Sequence, residues 1–414
     1  MERLLAPLVP GFRTPPLALR NVTHGGPRSL AAIAGIGFVV TMVLLQLGFL
    51  QAVRDTATTL YDTLDFDVVL VSPRYEQLYS AGTLPVERLR QAEAFDSVVS
   101  ASPLYAVFAM WRCPPVPLDR PTRSIRPAGT WLASRPKPVQ RRELLAIGFD
   151  PGKNPFRETI RGRIESSLPR LRMDDRVLLN DRSHPDFGWW AWPAFDGWEL
   201  GRHRVEVVGG FPLERGFGAD GAVICTDENF NRLCAPPGFH GMSMGLLRVR
   251  PGTTAETVRA LNEALPPDSV ALAREELARR ERDFWVNQTS TGKIFASGVF
   301  VAMAVAAVVV YQVLSNDVRS HLAEYATLKA MGYTNGFLSR VVVGQSLIYA
   351  LGAYGPALLL TYAAYRATEA LAQIPMRFTA VNLATALGLA LAVSLGSALL
   401  TVGKLRSADP AELY

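Results

Sequence analysis

The chain has 414 residues, 49% of them hydrophobic and 19% charged, with a net charge of +6. The excess Arg is scattered and builds no basic arm or binding motif, which excludes a nucleic-acid partner. These averages conceal a sharp segregation: Ser29–Val53, Ile294–Asn316, Val341–Tyr365 and Phe378–Gly403 contain no Asp, Glu, Lys or Arg.

A helix rises about 1.5 Å per residue, so roughly 20 residues cross a hydrocarbon core about 30 Å thick. Each window is long enough, and four transmembrane helices are predicted. No other charge-free run exceeds Ser97–Trp111, which is too short and contains Pro103. The first apolar run is too long for a signal peptide, and no small-residue cleavage site follows before Arg54 and Asp55, so it is read as an anchor. The predicted order is a cytoplasmic segment 1–28, helix 29–53, an extracytoplasmic domain 54–293 and helix 294–315. A cytoplasmic helix and loop 316–340, helix 341–365, a short loop 366–377, helix 378–403 and a tail 404–414 complete it. Short-loop charge sets the orientation. Arg3, Arg13, Arg20 and Arg28 precede the first span, Arg319, Lys329 and Arg340 lie between the second and third, and Lys404 and Arg406 follow the fourth. The loop between spans three and four holds only Arg366 and Arg377, so both termini are expected in the cytoplasm. The expected location is the inner, or plasma, membrane.

Between the first two spans the pattern is that of a folded α+β domain. DVVLVS (67–72), RVLLN (176–180), RVEVVGGF (204–211), AVIC (222–225) and GLLRVR (245–250) read as strands. PVERLRQAEAF (85–95) and TTAETVRALNEAL (253–265) read as helices. The second carries a capping box, Thr253 with Glu256, and Val258, Leu261 and Leu265 at helical spacing. With SVALA (269–273) it makes a strand–helix–strand unit, and the Pro- and Arg-rich stretch 112–142 reads as an irregular insertion. At the edges, AVRDTATTLYDTL (52–64) and REELARRERDFWVNQ (274–288) extend the flanking spans as helical stalks, with Gly292 the weak point of the second. Ordinary surface helices on flexible turns are the competing reading; linkers of that kind are usually rich in Gly, Ser or Pro.

Catalytic signatures dissolve on inspection. GMSMG (241–245) matches the nucleophile-elbow pattern around Ser243, but a strand follows where a helix is required. TGK (291–293) ends like a phosphate loop, yet Asn287 replaces the first glycine and Ile294 the final Ser or Thr. His184, His203 and the other histidines lack metal-ligand spacing. No catalytic, cofactor or metal site is predicted, and the chain reads as a non-enzyme. The glycine pair of AGIGFVV (34–40) reads as close helix packing. Cys225 and Cys234 are either a disulfide or buried thiols beside Cys113. Trp189, Trp190, Trp192 and Trp198, in FGWWAWPAFDGW (187–198), are either a partner surface or an aromatic minicore.

The stretch SNDVRSHLAEYATLKAMGYTNG (315–336) is a charged helix between two uncharged runs. Asn316 and Asp317 read as its start and Gly332 as its left-handed cap. Leu322, Tyr325, Ala326 and Tyr333 share one side, whereas Leu328 and Met331 lie elsewhere. Such a helix suits a seat between the membrane and a protein groove.

HLAEYATLKAMGYTNGFL (321–338), the layout of one span, a large domain and three spans, and the closing LRSADPAELY (405–414) resemble a permease subunit of the FtsX/MacB superfamily of ABC transporters. Within that superfamily the chain is similar to DevC-type permeases of cyanobacterial DevBCA-like exporters. AIAGIGF (32–38), LLQLGFLQAV (44–53), DVVLVSP (67–73), FGADG (217–221) and DFWVNQTSTGKIF (283–295) add to the likeness. The resemblance implies an α+β membrane protein with a MacB-like periplasmic core domain between helices 1 and 2. It implies that Leu322, Glu324, Tyr325, Leu328, Lys329, Met331, Gly332 and Tyr333 form a coupling helix for a separate, DevA-like ATPase, which holds the ATP. It further implies a permease homodimer, a DevB-like membrane-fusion adaptor and, indirectly, an outer-membrane channel. ATP-driven motion would pass through the helices to the outer domain (mechanotransmission), with glycolipid or another amphiphile as cargo. A lipoprotein-releasing or cell-wall-hydrolase-activating subunit, similar to LolC or FtsX, is the alternative load on the same lever.

Overall fold

The computed structural model describes residues 16–24, 26–113, 140–189, 192, 197–372 and 374–407. Trp190, most of the 112–142 insertion and the last seven residues of the chain lie outside them. The chain divides into a helical unit, chiefly residues 1–51 and 294–414, and a sheet domain, chiefly Ala52–Lys293.

The helical unit contains a short helix α1 (Pro16–His24) and α2 (Pro27–Ala57), which continues into the sheet domain. The sheet domain then runs α3 (Thr59–Asp62), β1 (Val68–Val71), α4 (Val86–Glu93), β2 (Val98–Cys113), β3 (Gln140–Phe149), α5 (Glu158–Leu171) and β4 (Arg176–Asn180). Next come β5 (Trp198–Leu200), β6 (His203–Phe211), β7 (Ala222–Thr226), α6 (Asp227–Leu233), β8 (Met244–Val249), α7 (Thr254–Ala264), β9 (Val270–Ala273) and α8 (Arg274–Asn287). Helices α9 (Ser290–Ser320), α10 (Leu322–Ala330), α11 (Asn335–Ala372) and α12 (Ala380–Ser407) return to the helical unit. Among the described residues, α2, α9, α11 and α12 are the helices long and apolar enough to cross a membrane. All four overrun their charge-free windows, because polar flanking residues still complete the i to i−4 ladder beyond the hydrocarbon-length core. Asn316 and Asp317 thus fall in the last turns of α9, and α10 starts only after His321.

Small residues set the packing of the helical unit. On α2, a Cβ on Gly37 would stand 3.4 Å from the Ala353 carbonyl of α11. Two turns along, the Tyr365 hydroxyl donates to the Leu44 carbonyl at 2.7 Å. Gly48 is what admits that ring, because a Cβ there would meet the hydroxyl oxygen at 2.1 Å. Gly48→Ala is therefore expected to destabilise the full chain by roughly 1–3 kcal/mol through overpacking. Detergent melting curves check this, and Tyr365→Phe in the same background should recover part of the loss. Elsewhere α9, α11 and α12 present open apolar faces, with Phe300 75%, Leu359 75% and Val381 73% exposed. That is the surface a hydrocarbon solvent tolerates.

In the sheet domain, among the described residues, nine strands run in the order β3-β7-β4-β6-β5-β2-β8-β1-β9, and β2 also pairs with β3. That extra pairing closes β2, β3, β7, β4, β6 and β5 into a ring, while β8, β1 and β9 extend from the first half of β2. The 16-residue β2 serves both parts: Val98–Leu104 pair with β8 and Leu104–Cys113 with β3. Most of the charge-free run Ser97–Trp111 is therefore strand. Both sheet faces are covered, so successive residues alternate between two cores. Val69, Val71, Leu145, Ile147, Leu178 and Ile224 enter one core. Val68, Leu70, Leu144, Ala146, Val177 and Val223 enter the other. The strand–helix–strand unit is β8-α7-β9, and β1 inserts between its strands, antiparallel to each.

The expected capping box is corrected here, and the reading of Ser243 agrees with the structure. The Thr253 hydroxyl does not close a capping box; it donates to the Arg250 carbonyl at 2.8 Å. No disulfide joins Cys113, Cys225 and Cys234, and contact with Cys234, followed by burial, raises the Cys225 pKa. Trp198 is 0% exposed and packs near Trp111, which leaves it no face for a partner. Trp189 and Trp192 are half-buried, and their indole N–H groups donate to the carbonyls of Ser183 and Val207 at 2.9 and 2.8 Å. These three tryptophans act as an aromatic minicore. Ser243 is 1% exposed, and its hydroxyl both donates to the Ala106 carbonyl and accepts from the Ala106 amide. It joins β2 to the start of β8 and is not raised on an elbow.

Candidate functional site

Helix α10 links the second and third apolar helices. Its start is a bend in which the amide of Tyr325 donates to the His321 carbonyl at 3.0 Å. Its end is capped by Gly332, whose φ of +94° lies in the left-handed region glycine enters without strain. The amides of Gly332 and Tyr333 then bond back to the carbonyls of Lys329 and Leu328. The helix is seated by one large side chain. Tyr325 is 2% exposed, and its hydroxyl donates to Gln345 Oε1 of α11 at 3.2 Å. Asn21 of α1 comes up to the same hydroxyl, and burial holds the Tyr325 pKa above its ordinary value. Val318, Leu338, Val341 and Val342 belong to the same apolar cluster, with Leu328 packed against it.

The predicted coupling residues therefore divide. Tyr325 faces inward, Leu322, Leu328 and Lys329 are half-buried, and Glu324, Met331, Gly332 and Tyr333 are exposed. Met331 is 63% and Tyr333 45% exposed, a large apolar offering for so short a connection. This explains the uneven stripe in the sequence, since one apolar side serves the seat and the other stands free. Beneath the helix lies Asp317, which the sequence offered only as a helix start. Its side chain is 13% exposed and accepts from the Tyr349 hydroxyl at 3.4 Å, and that hydroxyl also meets Ser29 Oγ at 3.4 Å. This polar chain joins α2, α9 and α11 beside the start of α10. An acidic residue placed just outside a charge-free window was the available signal.

The second part of the site is the pair of segments that lead into and out of the sheet domain. Helix α2 breaks at Thr58, and α3 follows at once. The stalk into α9 is not continuous either: α8 ends at Asn287 and α9 begins at Ser290. The Thr289 hydroxyl accepts the Gly292 amide at 3.1 Å and so starts the new helix. Gly292 is not the break but its condition, because a Cβ there would lie 2.2 Å from the Trp285 carbonyl.

Within the sheet domain, the two broken ends are tied together. Glu281 of α8 is 0% exposed. Its carboxylate accepts from the Tyr75 and Tyr61 hydroxyls at 2.7 and 3.0 Å, and from the Trp285 indole and the Leu78 amide at 3.2 Å each. The two tyrosine hydroxyls also meet at 2.6 Å. Burial outweighs these donors and raises the Glu281 pKa above the ordinary carboxyl range. Arg274 adds a second tie, donating to the Tyr61 carbonyl at 2.8 Å and lying 5.1 Å over the Phe66 ring. The segment after α2 and the helix before α9 thus meet at one hydrogen-bonded centre.

The comparison that bears on this arrangement covers α10 and the three apolar helices around it. Residues 296–410 match the FtsX-like permease C-terminal family. The FtsX-like segment takes in most of α9, all of α10 and α11, and α12. No curated protein matches the chain. Among solved structures, the chain is similar to the extracellular domain of the noncanonic ABC-type transporter YknZ from Gram-positive bacteria. Identity is 10% over 50% of this chain and 100% of that one, with a TM-score of 0.29. It is also similar to the periplasmic region of MacB from Actinobacillus actinomycetemcomitans, at 8% identity over 53% of this chain and 94% of that one, with a TM-score of 0.31.

Proposed function

We propose that the chain is the membrane permease subunit of an ABC exporter that moves its sheet domain with ATP hydrolysed on a separate chain. The observation that carries this reading is α10, an exposed helix within the FtsX-like segment that joins two apolar helices and offers Met331 and Tyr333 beside Glu324. A short helix seated by one buried tyrosine passes a push to the helices it joins, because close-packed interiors respond by rigid displacement. The Glu281 centre supports the same reading. It binds the entering and leaving segments of the sheet domain together, so a shift of either helix moves both.

In this reading the protein lies in the inner membrane with both termini and α10 in the cytoplasm and the sheet domain outside. Two copies work with an ATPase pair, and the sheet domain meets a membrane-fusion adaptor that leads to an outer-membrane channel. The system is of the DevC type, works by mechanotransmission, and takes a glycolipid or another amphiphile as cargo. The breaks at Thr58 and Gln288–Thr289 make the two junctions jointed levers, and the Glu281 centre keeps their outer arms in step.

The test is purification of the tagged full chain from its native membrane, with identification of what accompanies it. A co-purifying chain with a phosphate loop, whose ATPase activity rises when the full chain is added, is the expected result. Transport activity of the full chain alone, with no nucleotide-hydrolysing companion, overturns the reading.

A further inference from the structure

The loop between β6 and β7, Pro212–Gly221, holds a cation without an ion-paired or hydrogen-bonded acceptor among the described residues. Arg215 is 8% exposed, yet among the described residues it has no hydrogen-bond acceptor and no carboxylate at ion-pair distance. None of its nitrogens is fully enclosed, so the stem is covered while the guanidinium edge still reaches solvent. A guanidinium presents donors in a planar fork suited to oxyanions, and a covered charge without a partner is costly. Asp220 acts on it electrostatically but is held by Arg142 at 3.3 Å. Arg142 is itself occupied, with Asp186 at 2.7 Å. His184 completes the neighbourhood. Its pKa is lowered by burial and by the charges of Arg142 and Arg215, against the opposing pull of Asp186 and Asp220. Its Nδ1 accepts the Asp186 amide at 3.3 Å.

The loop is held at both ends and in the middle. The Leu213 amide and carbonyl bond the Asn180 side chain at 3.0 and 2.9 Å. At the other end, the carbonyls of Asp220 and Gly221 accept the amides of His184 and Leu145 at 2.8 and 3.0 Å. In the middle, a Cβ on Gly216 would lie 2.8 Å from Thr56 Cβ, and one on Gly218 would lie 2.2 Å from the Tyr79 hydroxyl oxygen. Gly216 and, within FGADG (217–221), Gly218 thus press the loop onto its supports while Arg215 stands beside them.

We propose that Arg215 is the anion-binding residue of a phosphate site on the Pro212–Gly221 loop, the phosphate being carried by a lipid headgroup or free in solution. The test is hydrogen exchange of the loop amides in the full chain, purified in detergent. Phosphatidylglycerol or inorganic phosphate is added to the wild type and to Arg215→Met, which keeps an apolar stem and loses the charge. The probe that binds should slow exchange in the wild type by about ten-fold at ten times its Kd, and leave Arg215→Met unchanged. Slowing by phosphatidylglycerol alone identifies a lipid headgroup, and equal slowing by inorganic phosphate identifies free phosphate; slowing that persists in Arg215→Met, or none in either protein, overturns the site. The lipid-free melting temperature gives an independent readout. An unpartnered cation can be removed without loss, so Arg215→Met should melt at or above the wild type; a fall of several degrees makes Arg215 a structural residue and overturns the proposal.

Discussion

Glu281→Ala is expected to lower the melting temperature of the full chain in detergent by roughly 6–12 °C, corresponding to about 3–4 kcal/mol lost from the sheet domain. The side chain is fully buried, and four donors converge on it, from Tyr61, Tyr75, Leu78 and Trp285. Alanine leaves those donors without an acceptor and opens a void among residues that close-pack around them. Glu281→Gln should lose far less. An amide oxygen can take the Leu78 and Trp285 donors, and the two hydroxyls can turn to accept from its nitrogen. The pair also gives a pH signature of defined sign. Burial raises the folded-state pKa of Glu281 above its unfolded value. Stability from this group is therefore fully present below the unfolded value, about 4.3, and declines as pH rises through the folded one. Glutamine does not titrate. The melting temperature of the wild type minus that of Glu281→Gln should fall as pH rises through this window and then level off, and a difference that rises with pH would contradict the assignment. Because this carboxylate joins both junctions of the sheet domain, Glu281→Ala should also uncouple ATP hydrolysis from transport in protein that remains folded.

The second large effect is expected on α10. Glu324→Arg combined with Met331→Asp should reduce stimulation of the partner ATPase by about ten-fold or more, the scale of losing one apolar anchor from an interface. Both side chains are exposed, so the melting temperature should move little, in line with the roughly 0.5 kcal/mol typical of surface changes. Tyr325→Ala is the contrasting case. It removes a buried ring and its bond to Gln345, so about 3–5 kcal/mol of local stability goes with it. Titrating the ATPase against each variant separates them. Surface variants should be rescued by excess ATPase, because their lever is intact, while Tyr325→Ala should bind and still fail to transmit. Full stimulation by the double surface variant would remove α10 from the mechanism.

Much of this protein can be read along the chain because its strongest constraints are local. A hydrocarbon core forbids unpaired backbone polar groups and charges, so Ser29–Val53, Ile294–Asn316, Val341–Tyr365 and Phe378–Gly403 announce helices by composition. Apolar strands such as 68–71, 176–180 and 222–226 show themselves by β-branched runs, and Gly332 shows the end of α10 by the backbone angle only glycine adopts freely. What the chain order conceals are choices made between distant residues. Closure of the ring depends on β2 meeting β3 and β5 on opposite edges. The apolar sides of α10 become distinct only when Gln345, 20 residues on, receives the Tyr325 hydroxyl. Thr253 abandons its expected capping bond for a carbonyl three residues back, and Trp198 abandons the surface for Trp111.

The sequence by itself determined where the apolar helices run, that β1, β4, β6, β7, β8 and β9 are strands, and that a charged helix lies between two apolar ones. Only the tertiary structure decided which side of that helix is free, that Glu281 binds the two junctions together, and that Arg215 is covered without a partner. The division is physical: helix length and strand alternation follow from backbone hydrogen bonding and solvent along a few turns of chain, whereas burial and partnership of a side chain depend on residues brought near it from tens to hundreds of positions away.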